Sequence, residues 1–251
     1  MKIVRFTHGI KDQFGILYED SVRGIEDAPF ENIIETNQYH RISDIKLLPP
    51  CLPSKIIALG VNYRSHGEEM NHRIPEEPLI FIKPSTSVIG PEDKIIYPKT
   101  STRVDYEGEL GVVIKSITHG VSEEEAIHHI LGYTCVNDVT TRDLQARDKQ
   151  WTRSKGFDTF CPLGPCIETD LDPSDQTLVT YLNGEIRQET RTSQLIFPVF
   201  ELVSFISNVM TLLPGDVIAT GTPAGVGPML PDDTVEVKIE GIGTLRNYVV
   251  R

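Results

Sequence analysis

Asp105-Tyr106-Glu107-Gly108-Glu109-Leu110-Gly111-Val112-Val113-Ile114 runs from an acidic start into a β-branched apolar run, the pattern of a strand entering a core. Side chains two apart on a strand share a face. Glu107 and Glu109 are therefore expected side by side, with Gly108 leaving the opposite face open. Neighbouring carboxylates repel, and one of them normally holds a proton. A divalent cation removes that conflict. Two solvated glutamates on an edge strand are the alternative, and the pair alone does not choose between them.

The composition around this stretch is that of an ordinary soluble globular protein, with 39% hydrophobic and 24% charged residues. A chain of 251 residues makes one large domain or a core with a small appendage. No apolar run is long enough to span a membrane, and Met1–Arg5 does not open a signal peptide. A net charge of -12 without basic blocks argues against nucleic acid and anionic membranes as partners. Cys51, Cys135, Cys161 and Cys166 lack CxxC spacing and read as reduced thiols of a cytoplasmic protein. A redox pair of Cys161 and Cys166 is the weaker alternative.

Upstream, residues 2–48 read as a small β module with strands near Lys2–Thr7, Phe14–Glu19 and Ser21–Gly24. His8 and His40 read as isolated surface histidines. The proline-rich segment 49–53 is the best boundary, dividing a module at 1–50 from a domain at 51–251. Lys55–Tyr63 reads as a buried strand, and Ser65 as the cap of a short helix. On that helix His66 and Glu69 share a face. A carboxylate beside an imidazole raises its basicity, as a general base requires; an incidental ion pair on an exposed helix is the bland reading. Residues 71–78 suit a loop or lid, and Leu79–Lys83 a further strand. Lys83 either meets an anion or reaches solvent.

Downstream, Ser122 with Glu125 forms a capping box. Tyr133–Val139 reads as a strand with Asp138 at its end, followed by a helical turn on which Arg142 and Gln145 share a face. Three carboxylates at strand ends make an all-oxygen site suited to Mg²⁺, Mn²⁺ or Ca²⁺ rather than zinc. Lys155, in a glycine-loosened apolar stretch, reads as a substrate clamp or as surface charge. Val179–Arg187 is a hairpin around Asn183-Gly184, and Phe197-Pro198 opens an amphipathic helix. The amides of Gly221–Pro228 can cup a carboxylate, although the stretch also fits an ordinary glycine turn. Thr234–Val250 alternates and closes a sheet.

Taken together, these pieces resemble the fumarylacetoacetate hydrolase family. The resemblance is carried by N-Y-R-S-H-G-E-E-M (62–70), F-I-K-P-S (81–85), Y-E-G-E-L-G-V-V-I (106–114), N-D-V-T-T-R-D-L-Q (137–145), S-K-G-F-D (154–158), L-N-G-E (182–185) and G-T-P-A-G-V-G-P (221–228). They occur in the family's order from about Lys55 onward. The resemblance implies an α+β, β-rich fold, a distorted mixed-sheet roll behind the small amino-terminal module, paired as a homodimer. It implies Glu107, Glu109 and Asp138 as Mg²⁺ or Mn²⁺ ligands. His66 and Glu69 match the family's H-x-x-E dyad. Arg142, Gln145 and Lys155 match substrate-contacting positions, and Thr222 lies in the loop that holds the substrate carboxylate. The short front end looks more like the acylpyruvase, oxaloacetate decarboxylase and hydroxymuconate isomerase members. The expected activity is metal-dependent hydrolysis of C–C bonds in β-diketo acids. Oxaloacetate decarboxylation comes second, isomerisation third, and a keto-acid-binding protein without turnover last.

Overall fold

The stretch that opens the sequence reading does not form one strand. The computed structural model describes residues 1–71 and 73–251. In it, Val104–Tyr106 and Gly108–Ile114 are separate strands in separate sheets, and Glu107 is the residue at the switch. The backbone bonds of Glu107 explain the break. Its N–H donates to Asn137 Oδ1 at 2.9 Å, and its carbonyl accepts from the Asp138 N–H at 2.8 Å. The ladder partner ends at the same level, so the chain leaves the sheet there.

Among the described residues the main sheet has twelve strands. Its path runs from Glu35–Arg41 through Ser21–Ile25, Lys11–Tyr18, Lys2–His8, Cys161–Glu168, Ile130–Asn137, Gly108–Ile114, Val217–Ala219 and Lys55–Leu59 to Ile80–Pro84. Lys2 and Ile3 pair with Glu168 and Ile167, so the amino-terminal strands extend this sheet. Val217–Ala219 runs parallel to Lys55–Leu59 within a mostly antiparallel path, as a mixed sheet requires. Period-two alternation sends Leu110, Val112 and Ile114 into one core cluster and Val113 into another. The first cluster also takes Leu178, Val237, Ile239 and Leu245 from a five-stranded sheet, and Leu202, Val203 and Ile206 from the helix Val199–Val209. The fold is thus β-rich α+β, with sheet and helix sharing one core.

A third sheet positions the site. Thr140–Thr141, Val104–Tyr106 and Gly227–Met229 lie side by side. Each continues into a segment that carries candidate residues: Glu107, Arg142 and the 221–226 loop.

The capping box at Ser122 and Glu125 forms, as does the hairpin turn, with Asn183 at φ 54° and Gly184 at φ 80°. Other expectations need correction. The helix Arg64–Glu69 starts before Ser65, which caps nothing; its Oγ accepts from the Ala224 N–H. His8 and His40 are not isolated, because their rings stand 4.8 Å apart and His40 also packs on Phe6. Gly108 does not face open space: a Cβ there would lie 2.1 Å from Thr180 Oγ1. The expected 71–78 loop includes residue 72, which lies outside the described residues. Among the described residues no helix is long and apolar enough to cross a membrane.

Candidate metal centre and active site

Register brings the acids together. Gly108 pairs with Asn137, so Glu107 and Asp138 occupy matching strand ends, with Glu109 one ladder step inside. All three are buried, and one carboxylate oxygen from each lies within 4.8 Å of the others. Glu109 Oε2 accepts from the Gly221 N–H at 2.8 Å, while among the described residues its Oε1 is buried without a partner. Burial, then the charges of Asp138 and Glu107, push the Glu109 carboxyl well above its usual range. Burial also acts upward on Glu107, but Arg142, Lys155 and His66 outweigh it and hold that carboxyl low. The neighbouring acids therefore titrate in opposite directions, as crowded carboxylates do.

Cations close around the triad. Lys155 Nζ donates to Glu107 Oε2 at 2.7 Å and to Asp138 Oδ2 at 2.5 Å. Burial opposes its charge, yet Asp138 and Glu107 raise its pKa. Arg142 donates from Nε to Asp105 Oδ2 and from Nη1 to Gln145 Oε1, both at 2.9 Å, and from Nη2 to Glu107 Oε1. Lys83, a lysine of uncertain task in the sequence, has no exposed surface and donates to Asp138 Oδ1. Such pairing offsets the cost of burying carboxylates.

The histidine–glutamate dyad is looser than its spacing suggests. His66 Nδ1 lies 3.6 Å from Glu69 Oε2, beyond hydrogen-bond reach. Glu69 instead accepts from the Gly225 N–H at 3.0 Å. His66 is buried; desolvation lowers its pKa, reinforced by Arg142 and Lys155 against the pull of Glu107 and Glu69. Its ring lines a cavity of about 20 Å³ together with Glu107, Arg142, Gln145, Trp151 and Lys155. The glycine loop cups carboxylates of the chain itself, through Gly221 to Glu109 and Gly225 to Glu69. Thr222 Oγ1 gives its proton to Gly108 O and accepts from Gln188 Nε2.

The structure thus gathers Glu107, Glu109, Asp138, Lys155, Arg142, Gln145 and His66 in one place. Thr222 stands behind the triad strand, and Glu69 turns toward the loop. Sequence reading gave no role to Asp105 or Gln188 and left Lys83 open between an anion and solvent; it meets an anion, Asp138. Lys83 lay inside the F-I-K-P-S signature, whereas Gln188 reaches Gly108 from eighty residues away and had no local signal. The four cysteines are free and buried, and the redox-pair alternative gains no support. Burial pushes the Cys51 and Cys161 thiols up to about 12. The donor set, three buried oxygens with one unpartnered at Glu109, fits a hard divalent cation.

Comparison with known proteins places the chain. Residues 55–250 match the family model for the fumarylacetoacetate (FAA) hydrolase C-terminal domain, and residues 1–50 match the model "Rv2993c-like, N-terminal". A solved structure of 5-carboxymethyl-2-hydroxymuconate delta-isomerase from Mycobacterium smegmatis is 47% identical, with a TM-score of 0.95 and full coverage of both chains. The mitochondrial oxaloacetate tautomerase Fahd2a of Rattus norvegicus is 40% identical over 81% of this chain and 69% of its own. Maleylpyruvate hydrolase from Sphingobium, solved with manganese(II) and pyruvate, is 29% identical with a TM-score of 0.83, covering 100% of this chain and 99% of that one.

Proposed function

Because the chain belongs to the fumarylacetoacetate hydrolase family, we propose that it is a divalent-cation-dependent enzyme that carries 2-oxo acids through their enolates. Its reaction in this reading is hydrolysis of the C–C bond of β-diketo acids such as acylpyruvates. The observation that carries the proposal is the buried triad whose members Glu107 and Asp138 are bridged by Lys155.

Glu107, Glu109 and Asp138 would hold Mg²⁺ or Mn²⁺. When bound, the cation supplies Lewis acidity to the adjacent carboxylate and keto oxygens of a 2-oxo acid. The rest falls to the chain's own groups. Lys155 and Arg142 set two positive charges beside the oxygen that gains charge as C3 and C4 part. Gln145 uses its carbonyl on Arg142, which leaves its amide N–H groups for the substrate carboxylate. The Thr222 hydroxyl proton is committed to Gly108, so a bond from Thr222 to an anion comes from its main-chain N–H. His66, kept neutral by burial, takes a proton on Nε2 from the water that attacks C4 and returns it to C3. Glu69 steadies the imidazolium from 3.6 Å. Water and an acylpyruvate thus yield pyruvate and a carboxylic acid.

The cavity of about 20 Å³ holds little more than a water. Substrate entry therefore requires a wall to move. The helix Arg64–Glu69 is tied to the glycine loop through the exposed Glu69–Gly225 and Ser65–Ala224 bonds, and lifting it opens the site.

A second reading is isomerisation or tautomerisation. It is favoured by the commitment of Glu69 to Gly225, which leaves His66 a base without a fixed partner. Moving a proton between carbons or oxygens needs no oriented water. The names of the Mycobacterium smegmatis and rat relatives lie on this side. Oxaloacetate decarboxylation asks still less of His66. We place the enzyme in the cytoplasm, acting on a small-molecule keto acid as a homodimer.

The deciding experiment incubates protein loaded with Mg²⁺ or Mn²⁺ with acetylpyruvate, fumarylpyruvate, oxaloacetate and a hydroxymuconate, followed by ultraviolet absorbance. Pyruvate released from the acylpyruvates, and lost in His66→Ala, supports hydrolysis. Turnover of only the last two substrates moves the assignment to the second reading.

A further inference from the structure

The proposed chemistry leaves one buried carboxylate beside the site without a task. Asp105 has no exposed surface. Its Oδ2 accepts from Arg142 Nε at 2.9 Å and from Arg103 Nη2 at 3.0 Å, and its Oδ1 accepts from Arg103 Nε at 2.9 Å. Asp105 is held by pairing on both sides of its strand, opposite Thr140 and opposite Pro228. The carboxylate is therefore a fixed point, and Arg142 must come to it.

Arg142 has three engagements of different kinds. Glu107 is a member of the triad, and Gln145 is a candidate substrate contact on the same helical turn. Asp105 is neither. A planar guanidinium held at Nε can present its two Nη groups in only one plane. Were Glu107 to give an oxygen to a cation, the bond from Arg142 Nε to Asp105 would still anchor the guanidinium.

We propose that Asp105 is a positioning residue that fixes the plane of the Arg142 guanidinium, so that its Nη groups, held on Gln145 and Glu107 at the cavity wall, are placed to meet a ligand carboxylate. Arg103, on the outer side, locks Asp105 in turn. The ligand half of this inference rests on the function proposed above; the placement of Arg142 does not.

Two measurements separate these halves. In ¹⁵N spectra, the Arg142 Nε–H signal, assigned by its absence in Arg142→Lys, is expected to be protected from solvent exchange and to lose that protection in Asp105→Asn. Affinity for oxalate, a planar dianion with adjacent oxygens, is measured by calorimetry with Mg²⁺ present. Asp105→Asn is expected to weaken it about tenfold in the native background but less than about twofold in Arg142→Lys, as coupled residues require. Equal affinity losses in the two backgrounds, or an Nε–H signal that Asp105→Asn leaves protected, overturn the proposal. Should Asp105→Asn fail to fold, the native chain still decides the placement: an Arg142 Nε–H that exchanges freely with solvent overturns it. Native protein that binds no oxalate with Mg²⁺ or Mn²⁺ counts against the proposed function, while the Nε–H signal still decides the placement.

Discussion

Lys83 Nζ lies 2.5 Å from Asp138 Oδ1, and neither side chain has any exposed surface. Asp138 is thus gripped from two sides, by Lys83 on one oxygen and Lys155 on the other. Removing one partner of a buried pair leaves charge uncompensated in a poor solvent for it. Lys83→Met is expected to lower unfolding stability by about 3 kcal/mol, the small end of the range because Lys155 stays. Urea titration without added cation measures this, and an unmoved midpoint would show that the pair stabilises nothing.

Cation binding to the native state alone raises stability by mass action. At a concentration about one hundred times the Kd, the gain is about 2.7 kcal/mol. Native protein should melt higher as Mg²⁺ or Mn²⁺ is added. Asp138→Asn keeps the shape of the side chain but removes one carboxylate of the triad. Its melting temperature should no longer respond to millimolar cation. A variant that responds like the native chain would remove Asp138 from the ligand set.

Gly108 sits between two triad residues with Thr180 pressed against it. Gly108→Ala forces a methyl to within 2.1 Å of Thr180 Oγ1, where something must shift. Overpacking of this kind costs about 1–3 kcal/mol. The backbone from Glu107 to Glu109 is what would move, so the cation-induced rise in melting temperature should shrink as well. Thr180→Ala removes the clashing oxygen, and the double variant should recover most of both losses. No recovery in the double variant would place the strain elsewhere.

His40 gives the acid limb of stability a local source. Burial first, then the neighbouring charge of His8, lower its pKa in the folded chain below the ordinary histidine value of about 6.5. The unfolded chain therefore binds a proton at a higher pH than the folded one. The sign follows: this contribution is intact above about pH 6.5 and is lost as pH falls through the folded value. His40→Gln should flatten that part of the stability–pH curve. If native and variant curves run parallel between pH 7 and pH 5, another group is responsible.

Much of the site was legible because its residues occur in short signatures. Glu107 and Glu109 announce themselves by a spacing of two, Arg142 and Gln145 by a spacing of three, and the Asn183-Gly184 turn by its residue types. Local spacing says which side chains share a face, since strand and helix periods are properties of the backbone. It does not say what they face. Nothing near Gly108 in the chain predicts that Thr180 and Gln188 pack against it, because those contacts join separate sheets. Nor does the interval from His66 to Glu69 reveal that the Gly225 amide competes for the carboxylate.

The order of signatures along the chain, with the alternation of the strands, was enough to identify a β-rich core, a family and an acidic triad. Which charges neutralise that triad was decided only in three dimensions. Lys83, Lys155 and Arg142 reach the triad from different segments, and what fixes them is that a charge buried among sheets must find its opposite within a few ångströms. That requirement acts through space and leaves no periodic trace in the order of residues.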